Sequence, residues 1–367
     1  MSSEAAKTLD KKEAKVWIEY RPHLHPCAID AFQNCDVENS ELCIPDMFLC
    51  GQYELDENSE GGASRGGSIH VCTINSESNS LSVTTTDCKS GVLDLKVAGD
   101  YVASAQSDSS LCIHQILKES EGGGTSCFAD FSPLHLKEIV TITEEDEGLF
   151  LSVDWDLGYT IDKTNVTVPG DCRLVRRCSA SEIGLINPNI AVSTQEGSLI
   201  VYELSNERQL SKTFKVSMAH QMFGQAMPAW IVCFDPHTKK TLVSGGDDCL
   251  MKLWDLRQGS VPTHTNEGHS AGVTSAQWHP QQENIFATGS YDEYLRIWDN
   301  RALRSPVTEI HAGKIHPSTL MMTTLIMMII MLMMTLVIVT LIRMLMMLIM
   351  TLIRIMITIV IIITQSD

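Results

Sequence analysis

The sequence predicts an all-β fold built from several similar four-stranded sheets, and three observations support this. Two Trp-Asp pairs begin at Trp254 and Trp298, 44 residues apart, and Asp248 and Asp292 precede them with the same spacing. Around these residues the segment LVSGGDDCLMKLWD is repeated as FATGSYDEYLRIWD, in which two apolar strands flank a turn of small and acidic residues. In addition, no long stretch shows the 3.6-residue apolar period of an amphipathic helix.

The second repeat also contains Gly268-His269 ahead of the alternating segment VTSAQWHP. A Gly-His pair, a strand, an aspartate turn and a Trp-Asp pair, recurring every 40–45 residues, are typical of WD40 repeats, which assemble as the blades of a β-propeller. Weaker copies at Tyr101–Leu117, Ile190–Leu204 and Phe48–Ile74 raise the visible blades to about five. The last copy is interrupted by DENSEGGASRGGS, which we expect to be a solvated loop.

The repeated polar residues are expected to be structural. In a WD40 blade the histidine, a strand hydroxyl, the turn aspartate and the tryptophan form a hydrogen-bonded chain between strands. We therefore expect this structural network to contain Asp248 and Trp254 in one blade, and His269, Asp292 and Trp298 in the next.

Composition divides the chain into three parts. Residues 1–25 form a charged N-terminal extension without the apolar core of a signal peptide, and residues 26–314 form the partial WD40 propeller. Residues 315–367 form a low-complexity Met/Ile/Leu/Thr tail, in which positions 321–364 contain only Met, Ile, Leu, Thr, Val and Arg. Because each of these residue types has a codon one base from ATG, we interpret the tail as a translated repeat that is not native to the protein.

A membrane anchor is the alternative interpretation of this tail. The segment Ile315–Ile342 is long enough to cross a bilayer and could mimic a transmembrane segment. However, no Trp or Tyr marks its ends, as membrane interfaces usually require. We therefore do not expect a membrane to be a partner.

Charge and cysteine usage narrow the function classes further. The formal net charge is −18 at pH 7. Because such an acidic surface repels phosphate backbones, we expect no nucleic-acid partner. The 12 Cys are scattered without a CxxC pair, as expected of free thiols in a cytoplasmic protein. His23, His25 and Cys27 lie close together, but a metal site needs further ligands at suitable spacing, so we predict none.

Several strings exceed what a general WD40 blade requires, and together they resemble one family, the WD-repeat diphthine methyl ester hydrolases of diphthamide biosynthesis. The strings are LCGQYEL (49–55), LSVDWDLG (151–158), AHQ (219–221), AWIVCFDP (229–236), SGGDDCLMKLWDLR (244–257), HSAGV (269–273) and ATGSYDEYLRIWDNR (287–301). The resemblance covers residues 45–312 and implies a ring of seven blades, so this chain would form an incomplete ring. It fails after Gly313, where members of the family continue into further blades.

The resemblance implies that the protein hydrolyses the methyl ester of methylated diphthine, a modified histidine of translation elongation factor 2. The products would be diphthine and methanol, and no cofactor would be required. The substrate carries a trimethylammonium group, which aromatic rings on an acidic surface can hold by cation–π contact. The rings that we expect to serve are Trp155, Trp230 and Tyr291.

Ester hydrolysis also needs a base that activates water, and the sequence leaves three candidates open: Asp247, Glu293 and His220. Asp247 and Glu293 flank the turn aspartates, so their side chains should point away from the network of the blade. His220 precedes a strand, and it could instead be the Gly-His equivalent of its blade.

A non-enzymatic scaffold is the competing class. Both Trp-Asp units continue as WDxR, ending in Arg257 and Arg301. Such boxes resemble those of WD40 substrate receptors that dock the adaptor of the cullin-4 ligase. The sequence alone does not decide between an ester hydrolase and such a receptor.

Overall fold

The computed structural model describes residues 22, 24–32, 46–56, 64–75, 80–118, 134–156, 160–161, 175–176, 187–238, 240–279 and 282–311. These residues form strands and turns, and no helix is present among them. Their strands build five antiparallel four-stranded sheets and two short two-stranded ladders. The all-β propeller prediction and the estimate of about five blades are therefore confirmed.

Each four-stranded sheet is one blade, and its strands pair in chain order with the innermost strand first. Blade I contains β1 (His25–Phe32), β2 (Asp46–Asp56), β3 (Ser64–Asn75) and β4 (Ser80–Cys88). Blade II contains β5 (Val92–Ala98), β6 (Tyr101–Gln106), β7 (Ser110–Lys118) and β8 (Leu134–Thr143).

Blade III contains β9 (Phe150–Trp155), β12 (Asn189–Thr194), β13 (Leu199–Leu204) and β14 (Leu210–Val216), with the two-residue strands β10 (Thr160–Ile161) and β11 (Val175–Arg176) between β9 and β12. The hairpin of β15 (Gln221–Met222) and β16 (Gln225–Ala226) precedes blade IV. Blade IV contains β17 (Ala229–Phe234), β18 (Thr241–Gly246), β19 (Met251–Asp255) and β20 (His264–Asn266). Blade V contains β21 (Val273–Trp278), β22 (Ile285–Ser290), β23 (Tyr294–Asp299) and β24 (Thr308–His311).

The hydrophobic cores lie between consecutive blades. The core between blades IV and V, for example, contains Met251, Trp278, Phe286 and Trp298. Similar apolar clusters join blades I and II, II and III, and III and IV. The blades therefore stabilise one another through their flat faces, as expected for a propeller.

Carboxylates also join the innermost strands of consecutive blades. Asp30 of β1 accepts a hydrogen bond from the backbone N–H of Val97 at 2.8 Å, and Asp154 of β9 accepts one from Phe234 at 2.7 Å. Asp94 of β5 accepts one from the N–H of Val153 at 3.0 Å. Each acid satisfies an amide that would otherwise be buried without a partner, which fixes the register between neighbouring blades.

Glycines allow the blades to approach closely. A Cβ on Gly51 of β2 would lie 2.6 Å from Cγ1 of Val92, and one on Gly245 of β18 would lie 2.5 Å from Cγ1 of Val273. In both cases the second strand of one blade meets the innermost strand of the next. These contacts explain the glycines in the strings LCGQ and SGGD.

The contacts between blades run in chain order from blade I to blade V, and the described strands of blades V and I form no comparable interface. On blade V, the buried residues Ala287 and Ile297 pack with Ile285 and Leu295 of the same sheet. Within the described part of the chain, the blades thus contact one another in series from blade I to blade V.

The turns between the second and third strands lie at one end of the blades, which we call the top face. Ser109, Gly197, Cys249 and Glu293 occupy the third position of these turns in blades II to V, and all four have a positive φ between 63° and 70°. Only glycine adopts this left-handed conformation without steric cost. The turn geometry is therefore common to four blades although its residues differ.

We predict that Cys249→Gly raises the free energy of unfolding by about 0.5–1 kcal/mol, because glycine relieves the left-handed backbone. Urea denaturation of the two proteins measures this change. The matched control is Gly197→Ala, which should destabilise, because its Cβ would meet the carbonyl oxygen of His220 at 2.3 Å and that of Met227 at 2.5 Å. A loss of stability in Cys249→Gly would contradict the conclusion that the left-handed backbone at this position is strained.

One sequence expectation needs correction. The insert in blade I was expected to be a loop through Ser68, but β3 begins at Ser64, so its last residues are paired with β2. Gly67 explains the difference, because a Cβ there would lie 2.6 Å from the carbonyl oxygen of Gln52 and 2.7 Å from that of Ser90. This glycine serves the close approach of two backbones and not a flexible loop.

The termini are described only in part. The strand β1 begins at His25, the last residue of the predicted N-terminal extension, and the predicted tail at 315–367 lies outside the described residues. Within the described ranges, no helix has the length and apolar character needed to cross a bilayer.

Candidate functional site

A chain of hydrogen bonds runs from the top face into blade IV. Nδ1 of His220 lies 2.8 Å from Oδ1 of Asp248, and its Nε2 lies 2.8 Å from Oγ of Ser244. The indole Nε1 of Trp254 donates to the same hydroxyl at 2.9 Å. All four side chains are buried, so the network joins two strands, a turn and a loop inside the blade.

Blade V repeats this arrangement with one change. The ring of His269 lies 3.1 Å from Oδ2 of Asp292 and 2.7 Å from Oγ1 of Thr288, which replaces the serine. Nε1 of Trp298 donates to the same threonine hydroxyl at 2.8 Å. Asp292 also accepts a hydrogen bond from the N–H of Tyr294 at 3.0 Å, which closes the turn.

A buried cation completes each network, and the sequence analysis missed both. Nζ of Lys252 donates to Oδ2 of Asp248 at 3.3 Å and to the carbonyl oxygen of Ala219 at 2.6 Å. In blade V, Nη1 of Arg296 donates to Oδ2 of Asp292 at 2.6 Å. Each cation lies two residues before the blade tryptophan, so a basic residue in an otherwise apolar strand was the available signal.

Burial and these partners shift the pKa values in the two networks. Burial lowers the pKa of His220 and of His269, although the neighbouring aspartates oppose this effect. Burial alone would raise the pKa of Asp292, but hydrogen bonds from Arg296 and from the backbone bring it to about 2. The histidines are therefore neutral and the aspartate is ionised at pH 7.

We predict that the free energy of unfolding decreases as the pH falls below about 6.5, the ordinary pKa of histidine. The unfolded chain binds protons at His220 and His269 there, whereas the folded chain binds fewer because burial lowers the pKa of both side chains. Each site contributes a slope of up to about 1.4 kcal/mol per pH unit. Urea midpoints at pH 7.5 and pH 5.5 test this, and an equal or higher midpoint at pH 5.5 would contradict it.

Blade III joins its strands through a network of different residues. Tyr202 occupies the tryptophan position, and its hydroxyl donates to Oε1 of Glu144 at 3.0 Å. Lys212 lies 2.6 Å from the same carboxylate, and Lys215 lies 2.6 Å from Glu147. The acids come from the link between β8 and β9, and the lysines from the outermost strand, so the usual repeat pattern does not reveal them.

A second group of residues lies on the top face, between blades IV and V, where a half-buried tryptophan meets two exposed side chains. Nε1 of Trp230 donates to Oδ1 of Asp247 at 3.1 Å, and the Trp230 and Tyr291 rings meet edge to face, with centroids 6.5 Å apart. Tyr291 is 46% exposed, and Asp247 is exposed as well. We call Trp230, Asp247 and Tyr291 the aromatic corner.

Backbone contacts hold the aromatic corner in place. The N–H of Asp247 donates to the carbonyl oxygen of Pro228 at 2.9 Å, and the N–H of Tyr291 donates to that of Gly272 at 3.0 Å. A Cβ on Gly272 would lie 2.6 Å from Oδ1 of Asp247 and 3.3 Å from Cδ2 of Tyr291. The corner is thus fixed by two turns and a glycine that leaves room for the carboxylate.

The structure brings only some of the candidate residues to this corner. Glu293 lies one turn position beyond the blade V aspartate, and its carboxylate is 3.5 Å from Nε2 of His311 on the outermost strand. Glu293 is therefore directed to the blade edge, while Asp247 is directed to the two rings. As expected from the sequence, neither side chain joins the network of its blade.

Two other candidates are inaccessible. His220 has 0% exposure, and both of its ring nitrogens are engaged in the blade IV network, so its place fits the structural alternative and not that of a base. Trp155 is 6% exposed, and its Nε1 donates to the carbonyl oxygen of Lys96 at 3.0 Å. Its indole is packed in the core between blades II and III and offers no face to a ligand.

The two WDxR boxes have the same geometry at the end of the blades opposite the top face. Nε and Nη2 of Arg257 donate to the two oxygens of Asp255 at 2.9 and 2.8 Å. Arg301 makes the same pair of bonds to Asp299 at 2.9 and 2.7 Å. Both arginines are fixed in orientation and largely exposed.

Of the three N-terminal residues that the sequence analysis considered as metal ligands, the structure describes His25 and Cys27. Burial, helped by the charges of Asp94 and Cys50, raises the pKa of Cys27 to about 12, which keeps the thiol protonated. His23 lies outside the described residues. Among the residues that are described, no group of three or more His, Cys, Asp or Glu side chains is placed to hold a metal ion.

The repeated sheets and their Trp-Asp networks define a WD-repeat β-propeller protein. The WD40 family (WD domain, G-beta repeat) matches residues 220–255 and 260–299, which belong to blades IV and V. This match agrees with the fold that the repeat period predicted.

Two curated relatives share one name, and a third is named as their homolog. The chain is 27% identical to diphthine methyltransferase of Mus musculus over an alignment of 297 residues, which covers 77% of this chain and 54% of that protein. It is 29% identical to the Homo sapiens protein of that name, and this match covers 47% of this chain and 33% of the human protein. It is 35% identical to the Dictyostelium discoideum homolog, and that match covers 35% of this chain and 40% of the homolog. The resemblance inferred from the sequence is confirmed, and the chain spans about half or less of these relatives.

Proposed function

We propose that the protein acts in diphthamide biosynthesis and hydrolyses the methyl ester of methylated diphthine on elongation factor 2. The similarity to proteins named diphthine methyltransferase supports the pathway. The aromatic corner is the observation that carries the choice of reaction, because it combines two rings and a carboxylate on an exposed face. This function would place the protein in the cytoplasm with its protein substrate.

The aromatic corner is suited to a quaternary ammonium group. Such a group cannot donate a hydrogen bond, so it is bound by aromatic faces and by nearby negative charge. Trp230 and Tyr291 supply the rings, and Asp247 supplies the charge between them. Burial and the Asp247 charge raise the pKa of Tyr291, so the phenol stays neutral and its ring stays available.

Asp247 is also the best-placed base in the described residues. The Trp230 indole holds Oδ1, and no described donor contacts Oδ2, which can therefore face a water molecule. In the proposed reaction Oδ2 takes a proton from water, and the oxygen of that water attacks the ester carbonyl carbon. The bond from that carbon to the methoxy oxygen then breaks, and the proton passes to the leaving methoxide as methanol.

The direct test is incubation of the full chain with elongation factor 2 that carries methylated diphthine. The modified-histidine peptide should lose the mass of one methylene group, and methanol should appear in equal amount. We expect the reaction to need no added cofactor. An unchanged mass of the peptide, although the full chain is folded, would contradict the proposed reaction.

A second candidate function rests on the paired WDxR boxes. Their arginines have the same fixed orientation in neighbouring blades, so they present two guanidinium groups to a partner such as the adaptor of the cullin-4 ligase. A pull-down of that adaptor that is lost in the Arg257→Ala, Arg301→Ala double variant would favour this function. Ester hydrolysis that survives in the same variant would separate the two functions.

A further inference from the structure

The hairpin of β15 and β16 projects a bare aromatic residue from the top face. Phe223 at its tip is 98% exposed, the highest value among the large apolar residues found exposed. Its neighbours in the hairpin are largely polar or small, so the ring packs on nothing within the described part of the chain. Burial in the core therefore does not account for a phenylalanine here.

The backbone of the hairpin makes this phenylalanine more unusual. Met222 pairs with Gln225, which leaves Phe223 and Gly224 as a two-residue turn, with φ of 53° and 79°. Two consecutive positive φ values are typical of a type I′ turn, which favours Asn-Gly and disfavours a bulky residue at its first position. Phe223 thus occupies a position that both its exposure and its backbone conformation disfavour.

The hairpin is held rigidly at its base. The N–H of Met227 donates to the carbonyl oxygen of His220 at 3.1 Å, and His220 is itself fixed in the blade IV network. The N–H of Gln221 donates to Oδ2 of Asp248 at 3.3 Å. The Phe223 ring is therefore presented in a preorganised position, which reduces the entropy lost when a partner binds.

The top face of blades II to V, from which the hairpin projects, carries several acidic side chains. Exposed carboxylates lie in the top-face turns and links of blades II to V: Asp108, Glu145, Asp146, Glu196, Asp247 and Glu293. The exposed arginines of the WDxR boxes lie at the opposite end of the blades. An apolar tip within an acidic surface complements an apolar pocket with a basic border.

We propose that Phe223 is the docking anchor for a folded protein partner, which receives the ring in an apolar pocket bordered by basic residues. This inference rests on the proposed function, since it assigns a folded protein, and not a free modified residue, as the substrate class of the top face. The hairpin docks the partner, while the aromatic corner binds the modified side chain that the partner carries.

The test compares Phe223→Asn with the full chain. This variant restores the preferred Asn-Gly turn, so its melting temperature should be unchanged or higher. Its Kd for intact elongation factor 2 carrying methylated diphthine should rise by about tenfold or more, as for an interface hot spot. Hydrolysis of a short peptide that carries the same modified residue should be unchanged, because the peptide does not reach the hairpin.

The matched control is Val307→Asn, which removes a 62% exposed apolar side chain between β23 and β24, at the other end of blade V. It should bind the intact factor as the unaltered chain does. Equal binding by Phe223→Asn and the unaltered chain would overturn the docking role, as would an unaltered chain that does not bind the factor. Weakened binding by Phe223→Asn without hydrolysis of either substrate would support docking and contradict the ester hydrolase.

Discussion

Replacement of Asp247 by Asn should lower the kcat of ester hydrolysis by about 10²–10⁴-fold, the usual contribution of a general base. The amide oxygen can still accept the hydrogen bond from Trp230, so the aromatic corner should keep its shape. The amide cannot take a proton from water, which removes the proposed first step. Initial rates at saturating elongation factor 2 measure the change.

The comparison of kcat with KM shows which role Asp247 has. If the carboxylate acts as the base, the loss lies in kcat, whereas a loss confined to KM would assign it to binding of the ammonium group. Glu293→Gln is the matched control, because this acid occupies the neighbouring blade turn and is directed to His311. An unchanged rate in Asp247→Asn, or an equal loss in Glu293→Gln, would contradict the assignment.

Asp292→Ala should lower the free energy of unfolding by about 3–5 kcal/mol, the usual effect of removing one partner of a buried ion pair. The substitution removes the buried carboxylate partner of the Arg296 guanidinium, leaves it only the more exposed Glu309 at 3.1 Å, and removes the acceptor for the Tyr294 N–H. Denaturation in urea at pH 7, followed by circular dichroism, measures the difference.

The matched control for this change is Asp299→Ala. Asp299 also has a pKa lowered to about 2, here by hydrogen bonds from Arg301, but the pair lies at the surface. Solvent screens such a pair, so its removal should leave the urea midpoint unchanged. Equal losses in the two variants would show that burial does not determine the effect, against our account of the blade network.

The sequence predicted blades IV and V because their residues follow strict chemical requirements. The turn needs the carboxylate of Asp248, and the strand needs the indole donor of Trp254. Both residue types therefore recur at fixed positions in the repeated sequence. Blade III was predicted from its strand–turn–strand pattern with Tyr202 in the tryptophan position. Its actual network depends on Glu144 and Lys212, which lie far apart in the chain and meet only after folding.

The candidate site was predictable only in part, for the same reason. That Asp247 would point away from its blade network followed from its place beside the turn aspartate. The packing of neighbouring blades, which the sequence does not reveal, decides that Trp230 contacts Asp247 and that Trp155 is buried. The role of Phe223 gave no sequence signal, because its significance lies in exposure and a positive φ, which only coordinates reveal.

Binding of a quaternary ammonium ion to the aromatic corner tests the central claim most directly. The indole N–H of Trp230, assigned by its absence in Trp230→Phe, can be followed by NMR during titration with choline and with its neutral isostere 3,3-dimethylbutanol. We expect a saturable shift with choline alone, because the rings and Asp247 recognise the positive charge. No shift with choline, or equal shifts with both compounds, would contradict the claim.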